Sequence, residues 1–351
     1  MSEFSKIELE DAAIVFDSLM RKGIFPVRTR WLVTGAGGFL GSQILNVLRE
    51  AKRQGFDCEI VVMDSNVRGG VRDWYSKDAQ IVKHDVVQPW PNLGEFTHIL
   101  HLASIASPVY YRQFPLETLQ SNYVGTLNAL EVANKSSAKL LLMSSSEIYG
   151  DPTPEYIPTP ESYRGNVSSI GPRACYDEGK RVMETLAWIY KNQYDMNISI
   201  ARPFNFYGPG MRLDDGRILP DMFKAIVSNS NIVLFSDGKP TRSFCYVSDA
   251  ISGLFQMILN EKKWKLYNVG NPNTEINMSD LAKMVAETAR EQGWSGKIKY
   301  EVSSESDFLV NNPNRRLPST DLISSELAWE AKVELQAGVV RSVSHFMELA
   351  K

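Results

Sequence analysis

Tyr176 and Lys180 are the residues of this chain whose types and spacing most directly indicate chemistry. Four positions apart on a helix, they would share a face, so the lysine ammonium would lie beside the phenol and could lower its pKa. A tyrosine made acidic in this way can take a proton from a substrate hydroxyl as hydride leaves the same carbon, and can return it later. The same spacing of tyrosine and lysine also occurs by chance in helices, so the surrounding sequence has to show whether this pair is catalytic. The run Ser144–Glu147, at the end of a predicted strand, supplies further hydroxyls and a carboxylate.

A glycine-rich turn indicates what would accept the hydride. Residues 30–42, RWLVTGAGGFLGS, read as a strand, a turn with Gly35, Gly38 and Gly41, and the start of a helix. Glycines let the backbone approach phosphates, and the helix presents free N–H groups and its positive dipole end. Asp64, which ends the next predicted strand, can bind both hydroxyls of an adenosine ribose and would repel a ribose phosphate. Together these features predict NAD rather than NADP, whereas the turn alone is also compatible with no ligand.

Strands and helices alternate after this turn, which predicts an α/β fold with a doubly wound parallel sheet. In such a sheet, ligands bind beyond the carboxyl ends of the strands. Asp85 would then meet the adenine, although a plain strand-end carboxylate fits its position equally well. Ser104, after a later strand, is small enough to let the backbone pass close to a cofactor. The predicted strands are 31–34, 59–63, 80–84, 98–102 and 138–144, and the predicted helices are 42–53 and 117–135.

We divide the chain into three parts. Residues 1–29 form an N-terminal helical extension, with apolar residues at helical spacing between 10 and 22. Residues 30–200 form the NAD-binding Rossmann domain, and residues 201–351 form a smaller, mainly substrate-binding α/β region that is partly interleaved with it.

Composition excludes several classes of function. With a net charge of −3 and no sustained basic stripe, the sequence favours neither a nucleic-acid partner nor a membrane surface. No apolar run approaches the roughly 20 residues of a membrane span, and the amino terminus lacks a signal-peptide pattern. Cys58, Cys175 and Cys245 lack metal-ligand spacing, which predicts free thiols in a reducing compartment and no metal site. We therefore expect a cytoplasmic protein.

Nearly the whole chain after residue 30 resembles the extended short-chain dehydrogenase/reductases, and among them the UDP-glucuronate decarboxylase (UDP-xylose synthase) group of nucleotide-sugar enzymes. The glycine turn and the Tyr-Lys pair indicate the superfamily, and the longer segments indicate the group. The matching segments are TGAGGFLGS, HDVVQP, HLASIASP, SSSEIYGDP, IGPRACYDEGKR, ARPFNFYGPGMRLDDGR, TRSFCYVSDAISG, YNVGNP, NRRLPS and LAWEAKV.

The resemblance implies a role for each residue at a matching position. The implied catalytic residues are Ser145, Ser146, Glu147, Tyr176, Lys180 and Arg316. The implied NAD-binding residues are Gly35, Gly38, Phe39, Leu40, Gly41, Asp64, Asp85, Val86, Leu102, Ser104, Ser121, Tyr176, Lys180 and Pro203. The implied substrate-binding residues are Ser107, Gln120, Asn205, Arg217, Arg242 and Arg316. Arginine suits this last role because its guanidinium binds phosphates and carboxylates bidentately, although Arg315 and Arg316 could instead be a solvated pair.

The chain departs from the group's pattern at two positions. It reads Ser145-Ser146-Glu147 where the decarboxylases usually read T-S-E, which keeps a hydroxyl and the carboxylate. It carries Gln120 where the xylose-forming enzymes carry a lysine before a T-N pair, which removes a positive charge near the expected substrate. The sequence therefore leaves open which sugar acid the protein binds and which nucleotide carries it.

The resemblance implies a homodimer that decarboxylates a nucleoside diphosphate glucuronate through a 4-keto intermediate. Two enzymatic alternatives remain: a 4-epimerase, which uses the same tyrosine and lysine, and a 4,6-dehydratase, which would carry an aspartate at the position of Ser146. A catalytically silent NAD-binding protein is a further alternative, and the presence of Ser145, Tyr176 and Lys180 argues against it.

Overall fold

A computed structural model describes residues 5–68, 70–302 and 313–350 and confirms the alternation of strands and helices. The strands of this part are β1 (Arg28–Thr34), β2 (Asp57–Asp64), β3 (Gln80–Lys83), β4 (His98–His101), β5 (Lys139–Met143), β6 (Ile198–Pro203), β7 (Phe206–Tyr207), β8 (Ile232–Leu234), β9 (Thr241–Ser243), β10 (Cys245–Tyr246), β11 (Trp264–Val269), β12 (Glu275–Asn277), β13 (Ile298–Tyr300) and β14 (Arg315–Arg316). The helices are α1 (Lys6–Arg21), α2 (Phe39–Arg53), α3 (Pro108–Gln113), α4 (Pro115–Ser136), α5 (Ala174–Tyr194), α6 (Ile218–Val227), α7 (Val247–Leu259), α8 (Met278–Glu291), α9 (Asp321–Leu327) and α10 (Leu335–Leu349).

Parallel strands form the central sheet in the order β11-β6-β5-β4-β1-β2-β3. This order, with helices on both faces of the sheet, confirms the predicted doubly wound α/β fold. Because β4 and β2 flank β1, the loops that follow these three strands meet at one edge of the sheet. The edge strand β11 comes from residues 264–269, so the C-terminal part of the chain completes the sheet.

Both faces of the sheet are buried, as expected for a parallel sheet. Trp31 and Val33 of β1 pack with the apolar residues of α1, α2 and α7. Leu32 points to the other face, where it joins the apolar residues of α4 and α5. Two helical layers therefore hold the sheet rigid, and its carboxyl edge carries the loops.

A small three-stranded sheet, β12-β9-β14, lies in the C-terminal part. In its parallel pair, Arg316 of β14 stands opposite Arg242 of β9. This sheet therefore holds two of the arginines implied by the sequence side by side.

The helix predicted at residues 10–22 begins earlier, at Lys6, because Ser5 and Glu8 form a capping box. Its apolar residues pack against α2 and α7. The Asp11 carboxylate accepts hydrogen bonds from Tyr246 Oη (2.7 Å) and Arg341 Nη2 (2.9 Å). Burial raises the pKa of Asp11 to about 6 although both partners lower it. α1 therefore connects the first helical layer to the C-terminal helix α10. None of the helices in the described residues is long and apolar enough to cross a membrane.

Candidate active site

The glycine turn that follows β1 has no room for side chains at two of its positions. Gly35 has a φ of +67°, and a Cβ atom there would lie 2.8 Å from the Ala103 backbone. A Cβ atom on Gly41 would lie 2.5 Å from the Gly35 carbonyl oxygen. α2 begins at Phe39 directly after Gly38, so the N–H groups of its first turn have no partner within the helix. The turn therefore fits the diphosphate of a dinucleotide.

Asp64 lies beside this turn. Its carboxylate accepts hydrogen bonds from the N–H groups of Gly37 (2.9 Å) and Asn66 (2.8 Å). These contacts fix the carboxylate next to the glycine turn, where the sequence places the adenosine ribose.

Most of the other predicted cofactor residues also lie at the carboxyl edge of the sheet. Asp85 is exposed and accepts a hydrogen bond from the Val87 N–H group (3.0 Å), while Val86 is buried against Gly125 of α4. Leu102 and Ser104 follow β4, and Pro203 ends β6. Ser121, on α4, donates its hydroxyl to the Thr118 carbonyl oxygen (2.9 Å).

Tyr176 and Lys180 lie on α5, buried as a pair. The Tyr176 ring stacks on Tyr111, with 5.3 Å between ring centroids and 14° between ring planes. Lys180 Nζ donates to the Met143 carbonyl oxygen (2.7 Å) and lies 5.7 Å from the centroid of the Tyr176 ring.

The expectation that Lys180 lowers the pKa of Tyr176 stays a prediction, because the groups that act most on this pKa in the described chain are others. Burial raises the pKa of Tyr176, and the group that lowers it most is a hydrogen-bonded Ser145. Burial also lowers the pKa of Lys180 to about 7, against an opposing effect of Glu184.

Glu147 is held between two arginines. Its Oε1 lies 2.5 Å from Arg316 Nη1, and its Oε2 is bonded to Arg173 Nη2. Arg316 also donates to Ser146 Oγ (3.1 Å) and to the Gly150 carbonyl oxygen (3.2 Å). The structure therefore brings Ser146, Glu147 and Arg316 together as the sequence predicted, and Arg316 is buried rather than part of a solvated pair.

These contacts set the charge states near Tyr176. Burial alone would raise the pKa of Glu147, but Arg316, Arg173 and Arg242 together lower it, so this carboxylate is ionised at neutral pH. The neighbouring Asp177 differs, because burial and the charge of Glu147 raise its pKa to about 7. One of its oxygens, Oδ1, has no hydrogen-bond partner in the described residues.

The predicted substrate residues separate into two groups. Arg242 belongs to the Glu147 cluster: burial and the nearby Arg316 lower its pKa to about 10, and its Nη2 donates to the Pro313 carbonyl oxygen (2.7 Å). Arg217 is paired with Asp215, and its charge acts on Tyr176.

Ser107 and Asn205 bind the backbone of neighbouring loops. The Ser107 hydroxyl donates to the Asp215 carbonyl oxygen (2.7 Å), and Asn205 Nδ2 donates to the Ser243 carbonyl oxygen (2.9 Å). Gln120 is exposed on α4 and has no hydrogen-bond partner in the part of the chain that the structure describes. The structure therefore does not bring Gln120 into the cluster.

Sequence reasoning missed two residues. Arg173 precedes Asp177 by one helical turn and lies 3.5 Å from it (Nε to Oδ2), so helical spacing could have identified it. Asn122 is buried on α4 against Gly179 and accepts a hydrogen bond from Ser104 Oγ (3.0 Å). Only the packing of α4 on α5 reveals the position of Asn122.

Comparisons with known proteins agree with this geometry. The profile of the NAD dependent epimerase/dehydratase family matches residues 31–270. UDP-glucuronic acid decarboxylase 5 of Arabidopsis thaliana is 38% identical over 314 residues, which is 88% of this chain and 87% of that protein. UDP-glucuronic acid decarboxylase 1 of Xenopus tropicalis is 36% identical over 91% of this chain and 72% of that protein.

Solved structures of lower identity share the fold. The UDP-glucose 4-epimerase of Thermotoga maritima, solved with UDP-glucose, superposes with a TM-score of 0.79 at 21% identity, over 92% of this chain and 100% of that one. DesIV, a dTDP-glucose 4,6-dehydratase of Streptomyces venezuelae solved with NAD, gives a TM-score of 0.77 at 21% identity, over 91% and 97% of the two chains.

The position of Asp64 predicts the cofactor preference. We expect NAD to bind at least about tenfold more tightly than NADP, because a 2′-phosphate would meet the carboxylate beside the glycine turn. Calorimetric titration with both dinucleotides measures the ratio of affinities. Asp64→Asn should reduce this ratio, whereas Asp85→Asn, an exposed strand-end carboxylate, should leave it unchanged. Equal affinities in the wild type would contradict the prediction.

Proposed function

This chain belongs to the NAD dependent epimerase/dehydratase family, and we propose that it decarboxylates a nucleoside diphosphate glucuronate through a 4-keto sugar, giving a nucleoside diphosphate pentose. Curated relatives at 35% to 39% identity carry the name UDP-glucuronic acid decarboxylase. The observation that carries the proposal is the buried cluster in which Glu147 lies between Arg316 and Arg173, close to the buried Tyr176.

The first half of the reaction needs a proton acceptor at the sugar C4 hydroxyl. Tyr176 would take this proton, with Ser145 as its hydrogen-bond partner. The glycine turn and Asp64 would hold NAD, which would supply a hydride acceptor for C4 and, at the end of turnover, the hydride donor, so that it would not be consumed. Lys180 Nζ lies 5.7 Å from the centroid of the Tyr176 ring and would hold the nicotinamide ribose.

The second half follows from the chemistry of a β-keto acid. With a ketone at C4, the bond from C5 to the carboxylate carbon can break, carbon dioxide leaves, and the electron pair enters an enolate. A proton must then be added at C5. The groups that would orient the ring and relay this proton to C5 are Glu147, Ser145, Ser146 and Arg316. Because Glu147 is ionised, it would accept a proton and pass it on rather than supply one of its own.

The positive charges near the cluster suit a substrate with two anionic parts, a diphosphate and a sugar carboxylate. Arg217 and Arg242 would bind the diphosphate or the sugar acid, with Asn205 and Ser107 shaping the neighbouring loops. Arg173 adds a guanidinium that already binds a carboxylate, that of Glu147. We do not assign a substrate contact to Gln120, since it is exposed.

We also propose a cytoplasmic homodimer. Three unpaired thiols, Cys58, Cys175 and Cys245, suit a reducing compartment. On α4, Leu116, Leu119 and Tyr123 expose apolar surface at helical spacing, and Trp188 does so on the adjacent α5 with 60% of its surface exposed. Ala129 and Met183, on the same two helices, are buried in the core of the chain.

Product analysis tests the proposed reaction. The wild type, given nucleoside diphosphate glucuronates without added NAD, should release carbon dioxide. Glu147→Gln should slow this release while substrate affinity stays within about tenfold, because its role lies in proton handling rather than charge attraction. Glu155→Gln, on an exposed carboxylate, is the matched control. A C4 epimer formed without carbon dioxide would replace the decarboxylase with a 4-epimerase.

The role of Tyr176 has its own test. Tyr176→Phe should lower turnover by about 10²- to 10⁴-fold, the range for loss of a general acid–base, while folding and NAD binding stay nearly intact. Tyr156→Phe removes the same hydroxyl from an exposed tyrosine and should have no effect on turnover. Unchanged turnover in Tyr176→Phe would remove this residue from the chemistry.

Sedimentation velocity tests the assembly. At micromolar concentration the wild type should sediment as a dimer, and Trp188→Arg should shift it toward the monomer, because the arginine would place a charge in an apolar interface. Tyr300→Arg changes another exposed aromatic residue, away from α4 and α5, and should leave the dimer intact. A monomeric wild type would count against the proposal.

A further inference from the structure

Four side chains from three segments of the chain meet at the carboxyl edge of the sheet. Arg68, after β2, lies with its guanidinium 3.4 Å from the centroid of the Tyr110 ring on α3. Asp214, in the loop between β7 and α6, accepts hydrogen bonds from Tyr110 Oη (3.2 Å) and Arg68 Nη2 (3.4 Å). Arg212, from the same loop as Asp214, binds both oxygens of that carboxylate (3.0 and 3.1 Å) and donates to the Arg68 carbonyl oxygen (2.5 Å). The four residues form one connected network.

The strand order places this network across the path of the cofactor. Arg68 follows β2 and Tyr110 follows β4, and β1 lies between these two strands. The contact from Arg68 to Tyr110 therefore spans the carboxyl end of β1, which is the glycine turn. A dinucleotide that runs from Asp64 across this turn toward Tyr176 would have to pass the same place. The loop that holds Arg212 and Asp214 also reaches α2, where Gly210 packs against Phe39 and Ser42.

We propose that Arg68, Tyr110, Arg212 and Asp214 form a latch over the bound dinucleotide that sets how fast the cofactor enters and leaves. The inference rests on the NAD-dependent function proposed above, because it gives a recycled cofactor a physical reason to stay bound between turnovers. These four residues lie outside the sets that the sequence assigned to cofactor, substrate or catalysis.

The two sides of the latch are built differently. On the α3 side, the buried Ser107 hydroxyl holds the Asp215 carbonyl oxygen (2.7 Å), and Gly216 packs closely on Val109. On the β2 side, the contacts are between partly exposed groups: Arg68 keeps 28% and Asp214 keeps 44% of their side-chain surface exposed. Since exposed ion pairs are weak and buried contacts persist, the latch should open between Arg68 and Asp214.

The chemistry of the network suits a reversible contact. Hydrogen bonding to Arg212 lowers the pKa of Asp214 to about 2, so the carboxylate stays charged at any pH at which the protein would work. Its partners are cations near the surface, and salt screens such pairs. The Arg68 guanidinium also gains a cation–π contact with Tyr110, which salt weakens less. We therefore expect the latch to close firmly at low ionic strength and to loosen as salt is added.

Cofactor exchange kinetics test the latch. NADH binding and its displacement by excess NAD are followed by stopped-flow fluorescence on the full-length protein. A closed latch slows both directions of exchange, so Asp214→Asn should raise both the association and the dissociation rate by about tenfold, with a smaller change in Kd. Arg68→Gln should act in the same direction. Tyr110→Phe keeps the ring beside Arg68 but loses the hydrogen bond to Asp214, and should give an intermediate effect.

The matched control is Asp57→Asn, which makes the same change in the ion pair of Asp57 with Arg28 (3.2 Å), at the opposite edge of the sheet. It should leave both rates unchanged. Added salt should speed exchange in the wild type and change Asp214→Asn less.

Wild-type rates in both Asp214→Asn and Arg68→Gln would overturn the latch, as would equal acceleration by Asp57→Asn. A faster dissociation with an unchanged association rate would also overturn it, because that result indicates a lost cofactor contact. If the wild type binds no NADH, the NAD-dependent function itself fails.

Discussion

The ion cluster around Glu147 is the interaction on which the arrangement of the site depends. Glu147 follows β5 of the central sheet, whereas Arg316 comes from β14 of the small sheet, so their contact joins the two parts of the chain. A buried charge is costly unless it is paired, and the loss of one partner leaves the other uncompensated. The small sheet therefore has one favourable position relative to Tyr176, and Ser146 and Gly150 accept the remaining N–H groups of Arg316.

The same cluster explains why two neighbouring carboxyl groups have opposite properties. Glu147 is paired with guanidinium groups and stays ionised, while burial and the negative charge of Glu147 raise the pKa of Asp177 to about 7. Burial and both of these carboxyl groups raise the pKa of Tyr176. In the chain as described, burial and these two carboxyl groups therefore all act against ionisation of the Tyr176 phenol.

Local patterns in the sequence predicted the fold and much of the site because parallel sheets and glycine turns leave short-range signals. The strand at 31–34, the turn from Gly35 to Gly41 and the Tyr176–Lys180 pair all appear where those patterns place them. What the sequence could not predict depends on burial and on contacts between distant segments. The direction of the Lys180 ammonium toward Met143, the meeting of Arg173 with Glu147 and the exposure of Gln120 are of this kind. The start of α1 at Lys6 was missed for a local reason, because the capping box lies before the apolar repeat.

The helix α1 has a mechanical consequence for the whole molecule. Its Asp11 accepts hydrogen bonds from Tyr246 and Arg341, and its Glu8 accepts a hydrogen bond from Gln43 of α2, so one helix connects α2 with the C-terminal helix α10. A rigid-body rotation that parted the central sheet from α10 would have to break these buried contacts together. These contacts of α1 therefore oppose a hinge between the central sheet and α10, which favours exchange of molecules with the interior through local rearrangement of the surface loops.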